Sequence, residues 1–193
     1  SKMYVIGHEH FNKSLTLDIE NKLMLYMSSI ENVDAVYNRR TNQQNDYFTS
    51  HELDKIFSKV WRGLQKKNKE LFPVEQIIRD SAIFKASPFH KLTEEQIRTK
   101  DFITLRIMQA LMKGETGQLI LVTGEAGSGK TVLMSSLFYE LNQLSKDDPE
   151  NLIFKDTMNF LLVNHEQQLK VYQQIATKLG IYSKKQPDLV SKP

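Results

Sequence analysis

The chain contains no cysteine among its 193 residues. Disulfide bonds, zinc–thiolate sites and cysteine nucleophiles are therefore excluded. The sequence also lacks an apolar run of membrane-spanning length and a signal-peptide pattern. Together these absences predict a cytoplasmic protein without a membrane partner. The formal net charge of +3 is too small to indicate nucleic-acid binding by itself.

Arginine is absent after Lys130. Small-molecule kinases close over their substrates with arginine-bearing lids, and fast phosphoryl transfer draws on an arginine. The sequence therefore argues against a small-molecule kinase and predicts that machinery for fast catalysis lies elsewhere. The first residue is Ser1 rather than methionine, from which we expect a piece of a longer protein or a processed product.

The most informative segment that is present is rich in glycine. Residues 124–131 fit G-x-x-x-x-G-K-[ST], the phosphate-binding loop of P-loop proteins. An apolar run at 118–123 precedes it, and residues with helical spacing follow it. Backbone N–H groups of such a loop can hold phosphate oxygens, while Lys130 reaches the β- and γ-phosphates and the Thr131 hydroxyl holds Mg²⁺. ATP and Mg²⁺ are the predicted cofactors, bound by Gly124, Glu125, Ala126, Gly127, Ser128, Gly129, Lys130 and Thr131.

The hydrophobic pattern predicts alternating strands and helices. Strands are expected at 3–6, 33–38, 118–123 and 159–163, and helices at 14–30, after 49, after 93, from 132 and over 165–179. Two capping boxes, Thr49 with Glu52 and Thr93 with Gln96, mark helix starts. The predicted fold class is α/β: a truncated P-loop NTPase, with a parallel sheet and crossover helices, preceded by a mainly helical α+β segment.

A working P-loop ATPase also needs a second carboxylate near the metal, usually after a strand. Downstream of Lys130 the only candidate segment is 160–166, which has Asn164 where aspartate is expected. Glu166 lies beyond the predicted strand and fits better as a glutamate in the first turn of a helix. We therefore expect this chain to hydrolyse ATP poorly or not at all.

Three segments carry a resemblance to a known family. Residues 122–131, 161–166 and 171–176 resemble a bacterial family of Schlafen-related DNA/RNA helicase-like P-loop ATPases, from about residue 89 onward. Residues 92–96 are also similar to the Q-motif of superfamily 1 helicases, which implies that Gln96 recognises the adenine base. Gln96 also fits the capping box, and the two roles are compatible.

The first part of the chain resembles a different family. Residues 4–6, 11–14, 17–23 and 37–38 look like the second half of a GIY-YIG nuclease domain. That resemblance implies that Glu20 is a metal-binding, catalytic glutamate, since a carboxylate-held Mg²⁺ can stabilise charge on a scissile phosphate. The alternative is a solvated residue on an amphipathic helix. The family's tyrosines and arginine are missing, so a lone Glu20 is not expected to cut DNA.

These observations predict three regions: a partial GIY-YIG-like segment at 1–48, a helical linker at 49–88, and the N-terminal part of a helicase-like ATPase domain at 89–193. The leading hypothesis is the ATP-binding portion of a helicase-like NTPase acting on DNA or RNA and linked to a nuclease-like region. Whether the chain is itself an enzyme stays open. The alternative is a non-catalytic interaction module with a degenerate phosphate-binding loop. The sequence does not predict an oligomeric state.

Overall fold

The computed structural model describes residues 2–37, 44, 46–146, 152–155, 157–181 and 189–193. Helices account for 56% of this part of the chain. In chain order the elements are α1 (Lys13–Ser28), a 3-10 turn (Ser50–Glu52), α2 (Leu53–Lys67), α3 (Glu75–Asp80), α4 (Ala82–Ala86), α5 (Glu94–Lys113), α6 (Lys130–Lys146), β1 (Leu161–Leu162), α7 (Glu166–Lys178) and β2 (Val190–Ser191).

The predicted α/β fold class is wrong. Within the described ranges the sheet has two strands of two residues each, which pair in parallel with Leu161 opposite Val190. The predicted strand at 118–123 is not a strand, and Leu119 and Leu121 are 88% and 81% exposed. The hydrophobic pattern correctly indicated an apolar segment, but it does not show whether a second strand pairs with that segment, and a strand requires such pairing.

The segment before α2 also departs from the predicted α+β arrangement. Residues 3–6 and 33–37 form no strand, and residue 38 lies outside the described residues. The capping box of Thr49 and Glu52 is not formed either, because a 3-10 turn occupies that position and the Thr49 side chain makes no cap bond. The first 88 residues therefore contain only helices and loops wherever they are described.

The capping box predicted at Thr93 and Gln96 is confirmed, and local chemistry also marks two further helix boundaries. Asn12 caps α1 by accepting a hydrogen bond from the Leu15 N–H group at 2.9 Å. The capping box of Thr93 and Gln96 is present at the start of α5, and Gly114 ends that helix with φ +66°. The capping box of Thr93 and Gln96 depends on residues within one turn of each other, which is why the sequence could predict it.

The main core is built around an aromatic cluster. Trp61 is fully buried, and its indole N–H group donates to the Pro73 carbonyl at 2.8 Å. Its ring is stacked with Phe57 and lies against Tyr26, with ring centroids 5.9 and 5.0 Å away. Trp61 is therefore a packing residue of this core. The same core includes residues of α1, α2, α6, α7 and β2.

A smaller apolar cluster joins α5 to α6. It consists of Ile103, Leu137, Leu141 and Phe154, and an ion pair between Lys100 and Glu140 links the same two helices. The three predicted regions stay a prediction, although the main core includes residues from each of them. In the part of the chain that the structure describes, no helix is long and apolar enough to cross a membrane.

Two hydrogen bonds connect α7 to the segment after α1. The buried ammonium group of Lys178 donates to the Ile30 carbonyl, and the Val36 N–H group donates to the Lys178 carbonyl at 3.0 Å. Ile30 lies two residues beyond the end of α1, and its carbonyl also accepts a hydrogen bond from the Val33 N–H group at 3.2 Å. A cation close to the C-terminal end of a helix is favoured by the helix dipole. Residues far apart in sequence are thereby fixed next to each other.

Candidate functional site: the glycine-rich loop

The glycine-rich loop, residues 124–131, leads directly into α6, which begins at Lys130. Gly127 and Gly129 both have φ of +82°, a conformation that residues with a Cβ rarely adopt. A Cβ added to Gly124 would lie 2.8 Å from the Ser128 Oγ. The loop is therefore a tight turn that glycine alone permits, and it ends where the first N–H groups of a helix lack intrahelical acceptors.

Lys130 is folded back over the loop. Its ammonium group donates to the Gly124 carbonyl at 2.6 Å and to the Glu125 carbonyl at 2.7 Å, and Ser128 Oγ lies 3.4 Å away. The loop is exposed, so the charge of Lys130 remains accessible to a ligand. A phosphate group could replace these carbonyls as acceptor, because a charged acceptor forms the stronger hydrogen bond with an ammonium group.

Gln96 lies against the loop as well as in the α5 cap. Its Oε1 accepts from the Thr93 N–H group at 3.0 Å, and its Nε2 donates to the Ser128 carbonyl at 3.0 Å. A Cβ on Gly129 would lie 2.3 Å from that Nε2. The structure thus brings Gln96 to the predicted phosphate loop, but through the loop backbone rather than through any base.

Two contacts at the start of α6 were not predicted. The Tyr172 hydroxyl of α7 lies 3.4 Å from the Thr131 carbonyl, and the buried Ser135 hydroxyl donates to the Ala86 carbonyl at 2.7 Å. Burial raises the pKa of Tyr172. Both residues support the helix behind the loop. Tyr172 lies in the segment 171–176 that carries the family resemblance, but the sequence gives no sign that its hydroxyl reaches Thr131, and Ser135 belongs to none of the quoted segments.

In the segment searched for a catalytic carboxylate, Glu166 lies in the first turn of a helix, as the sequence indicated. Glu166 is the first residue of α7 and pairs with Lys170 at 3.8 Å, one turn further along the same helix. Asn164 is exposed. A glutamate at this end of a helix is favoured by the helix dipole, which accounts for Glu166 without a catalytic role.

Glu20 lies on the exposed face of α1. Among the described residues, no group of three or more histidine, aspartate or glutamate side chains could hold a metal ion. The structure therefore adds no metal-binding neighbours to Glu20 within those residues, and its nuclease-like role stays a prediction.

A cleft of about 570 Å³ between α1, α2 and α3 was not predicted. Lys22 pairs with Asp54 across it, and this partner lowers the Asp54 pKa. Arg79 donates to the Tyr26 hydroxyl at 2.7 Å. The charged groups of this cleft, Lys22, Asp54 and Arg79, come from three different helices. Because they are far apart in the sequence, their spacing did not predict the cleft.

Two comparisons with known proteins found a match to part of the chain. Residues 117–192 match the sequence model of the family described as Schlafen group 3, DNA/RNA helicase domain. An uncharacterized protein of Saccharomyces cerevisiae is 32% identical over 94 residues, which cover 47% of this chain and 21% of that protein. The chain thus spans about a fifth of the length of this curated relative. No solved structure matches the chain. The predicted resemblance is thereby confirmed in part: the chain contains a Schlafen-related, helicase-like region, which supports a function related to nucleic acids.

Proposed function

We propose that the chain binds ATP with Mg²⁺ through the glycine-rich loop and forms part of a helicase-like ATPase that acts on DNA or RNA. The observation that carries this proposal is the loop geometry, in which Gly127 and Gly129 have positive φ immediately before α6 begins at Lys130. The family match over 117–192 supports it. Binding of a phosphate group requires a tight turn, the N-terminus of a helix and a cation close together, and this loop has all three.

The residues present fit a nucleotide phosphate. Lys130 supplies the one positive charge of the loop, and the Thr131 hydroxyl would hold Mg²⁺. The ion neutralises charge on the phosphate oxygens when it is bound. Asn164 has an amide in place of a carboxylate, and the Glu166 carboxylate pairs with Lys170 at the start of α7. We therefore expect binding without efficient hydrolysis. A link to nuclease chemistry through Glu20, the bacterial character of the family and a cytoplasmic location stay predictions.

One observation favours the alternative of an interaction module with a degenerate phosphate loop. The Lys130 ammonium group already has acceptors in the carbonyls of Gly124 and Glu125, so a loop without a nucleotide function would be equally compatible with these contacts. In that case the helical region at 49–86 would bind a protein partner. Nucleotide binding is the property on which the two candidates differ.

Titration calorimetry with Mg²⁺–ATP tests the proposal. Lys130→Ala removes the only loop cation, and a lost hydrogen bond to a charged group predicts an affinity lower by about 10- to 100-fold. Lys55→Ala, which makes the same change at an exposed position of α2, is the matched control and should leave affinity unchanged. Unmeasurable binding by the wild type, or equal affinity of wild type and Lys130→Ala, would overturn the proposal.

A further inference from the structure

Gln96 joins two structural units with one amide group. Its oxygen accepts from the Thr93 N–H group and its nitrogen donates to the Ser128 carbonyl, both at 3.0 Å. The opposite orientation would place oxygen against carbonyl and N–H against N–H, so the partners fix which end of the amide faces the loop. The side chain therefore belongs to the helix cap and to the loop at the same time.

The loop backbone is shaped to admit this contact. Gly129 has φ +82°, and a Cβ there would lie 2.3 Å from Gln96 Nε2. Glycine at this position consequently meets two requirements, a positive φ and the approach of the Gln96 amide. The Ser128 carbonyl and the Gly129 N–H group are parts of one peptide unit, and in a trans peptide they point in opposite directions. No cis peptide occurs in the described residues. A bond that holds the carbonyl towards α5 thus directs the Gly129 N–H group away from α5.

We propose that Gln96 is a positioning residue of the glycine-rich loop, which fixes the direction of the Gly129 N–H group by holding the Ser128 carbonyl. This inference rests on the proposed nucleotide binding. It differs from the base-recognition role implied by the Q-motif resemblance, because it acts on the phosphate site for any ligand that carries a phosphate chain. Residue 96 lies outside the residues 117–192 of the family match, so the contact itself is what assigns this role.

Gln96→Glu removes the donor and also adds a negative charge that repels phosphate, so the ligand-free measurement below decides between loss of positioning and charge repulsion. Glutamate at this position of a capping box still accepts from the backbone of the cap residue, but its ionised carboxylate has no hydrogen to donate to the Ser128 carbonyl. The matched variant Thr93→Ala removes the other bond of the same capping box, the one from the Gln96 N–H group to the Thr93 hydroxyl, and leaves the Gln96 side chain intact. Loss of helix-cap stability alone would appear in both variants.

The first measurement is binding of Mg²⁺–ATP and of Mg²⁺–tripolyphosphate, which lacks a base, to wild type and both variants. Gln96→Glu should lower the affinity for both ligands by about tenfold, which corresponds to the loss of one hydrogen bond. Thr93→Ala should change the affinity for either ligand by less than about twofold. If Gln96→Glu lowered the affinity for Mg²⁺–ATP but not for Mg²⁺–tripolyphosphate, Gln96 would recognise the base, and the positioning role would be overturned. Equal weakening by the two variants would also overturn it, because a general loss of cap stability would then suffice.

The second measurement needs no ligand. Amide hydrogen exchange at residues 128–131 should be faster in Gln96→Glu than in wild type and Thr93→Ala, since the Ser128–Gly129 peptide is released. Unchanged exchange there would overturn the positioning role. If wild type binds neither ligand, the proposed function fails, whereas faster exchange in Gln96→Glu would still support the positioning of the loop.

Discussion

His90 shows how one side chain ties a local contact to the pH dependence of stability. Its Nε2 lies 2.6 Å from the Phe84 carbonyl oxygen, and its ring meets the Phe84 ring edge-on at 5.0 Å. Burial lowers the His90 pKa below 6.5; the Phe84 carbonyl raises it in part, and the charge of Lys22 lowers it further. The neutral imidazole is therefore the form that the folded protein prefers.

The expected result is a loss of stability in mild acid. The folded-state pKa lies below the unfolded value of 6.5, so the contribution of His90 is fully present above about pH 6.5 and is lost as the pH falls through the folded pKa. The amide of His90→Gln can still donate to the Phe84 carbonyl but does not titrate, so this variant should lose less stability than the wild type as the pH falls. His51→Gln, at an exposed position, is the control. Thermal unfolding between pH 5 and 8 measures the effect; parallel curves for wild type and His90→Gln would contradict it.

Residue roles were predictable from the sequence where they depend on near neighbours. The capping bond of Gln96 involves Thr93, three positions away, and was predicted; its bond to Ser128 spans 32 positions and was not. In the same way the glycines of the loop were identified by their spacing, whereas the support from Tyr172 arises only when the fold brings its hydroxyl to the start of α6.

Helices and strands differ in how far the sequence could determine them. The helices predicted at 14–30 and 165–179 correspond to α1 and α7 within two residues at each end. A helix closes its hydrogen bonds within itself, so periodicity and caps are sufficient. A strand needs a neighbour, and the apolar run at 118–123 has none among the described residues. Only two residues of the strand predicted at 159–163 are paired.

The end of α5 provides a quantitative test at this scale. Gly114 has φ +66°, so Gly114→Ala forces an alanine into the left-handed region and should destabilise the protein by about 1 kcal/mol. Gly63→Ala is the matched change inside α2, where a Cβ meets nothing within 4 Å, and it should stabilise by about 0.5–1 kcal/mol. Urea unfolding measures both variants. Shifts of the same sign would contradict this account of the two glycines.

At the scale of the whole molecule, Leu189 and Val190 are the residues after α7 that join the main core near the end of the described chain. Val190 is 1% exposed, lies opposite Leu161 and accepts a hydrogen bond from Gln173 Nε2 at 3.1 Å through its carbonyl. No hydrophobic period could be recognised in this tail from its sequence, because two paired residues are too few to show one. Packing against β1 and α7 is a property of the assembled core alone.

Val190→Asp should therefore be strongly destabilising. It places a carboxylate without an ion-pair partner into an apolar site, and a cost of about 3 kcal/mol or more is expected. Lys192→Asp, at an exposed position two residues away, carries the same new side chain and should cost less than about 0.5 kcal/mol. Thermal unfolding of both variants checks the difference. A cost below about 1 kcal/mol for Val190→Asp would show that the tail is not part of the stable core.

The bond between Lys178 and Ile30 spans 148 positions of the chain, and this has a consequence for synthesis on the ribosome. Contacts of such high sequence separation form late and slow the folding of a domain. The ribosome needs on the order of ten seconds to travel from Trp61 to Val190. During that interval the core residues of α1 and α2 have been synthesised, but the α7 and β2 residues of the same core have not. A chaperone that shields apolar surface could act on the nascent chain in this period.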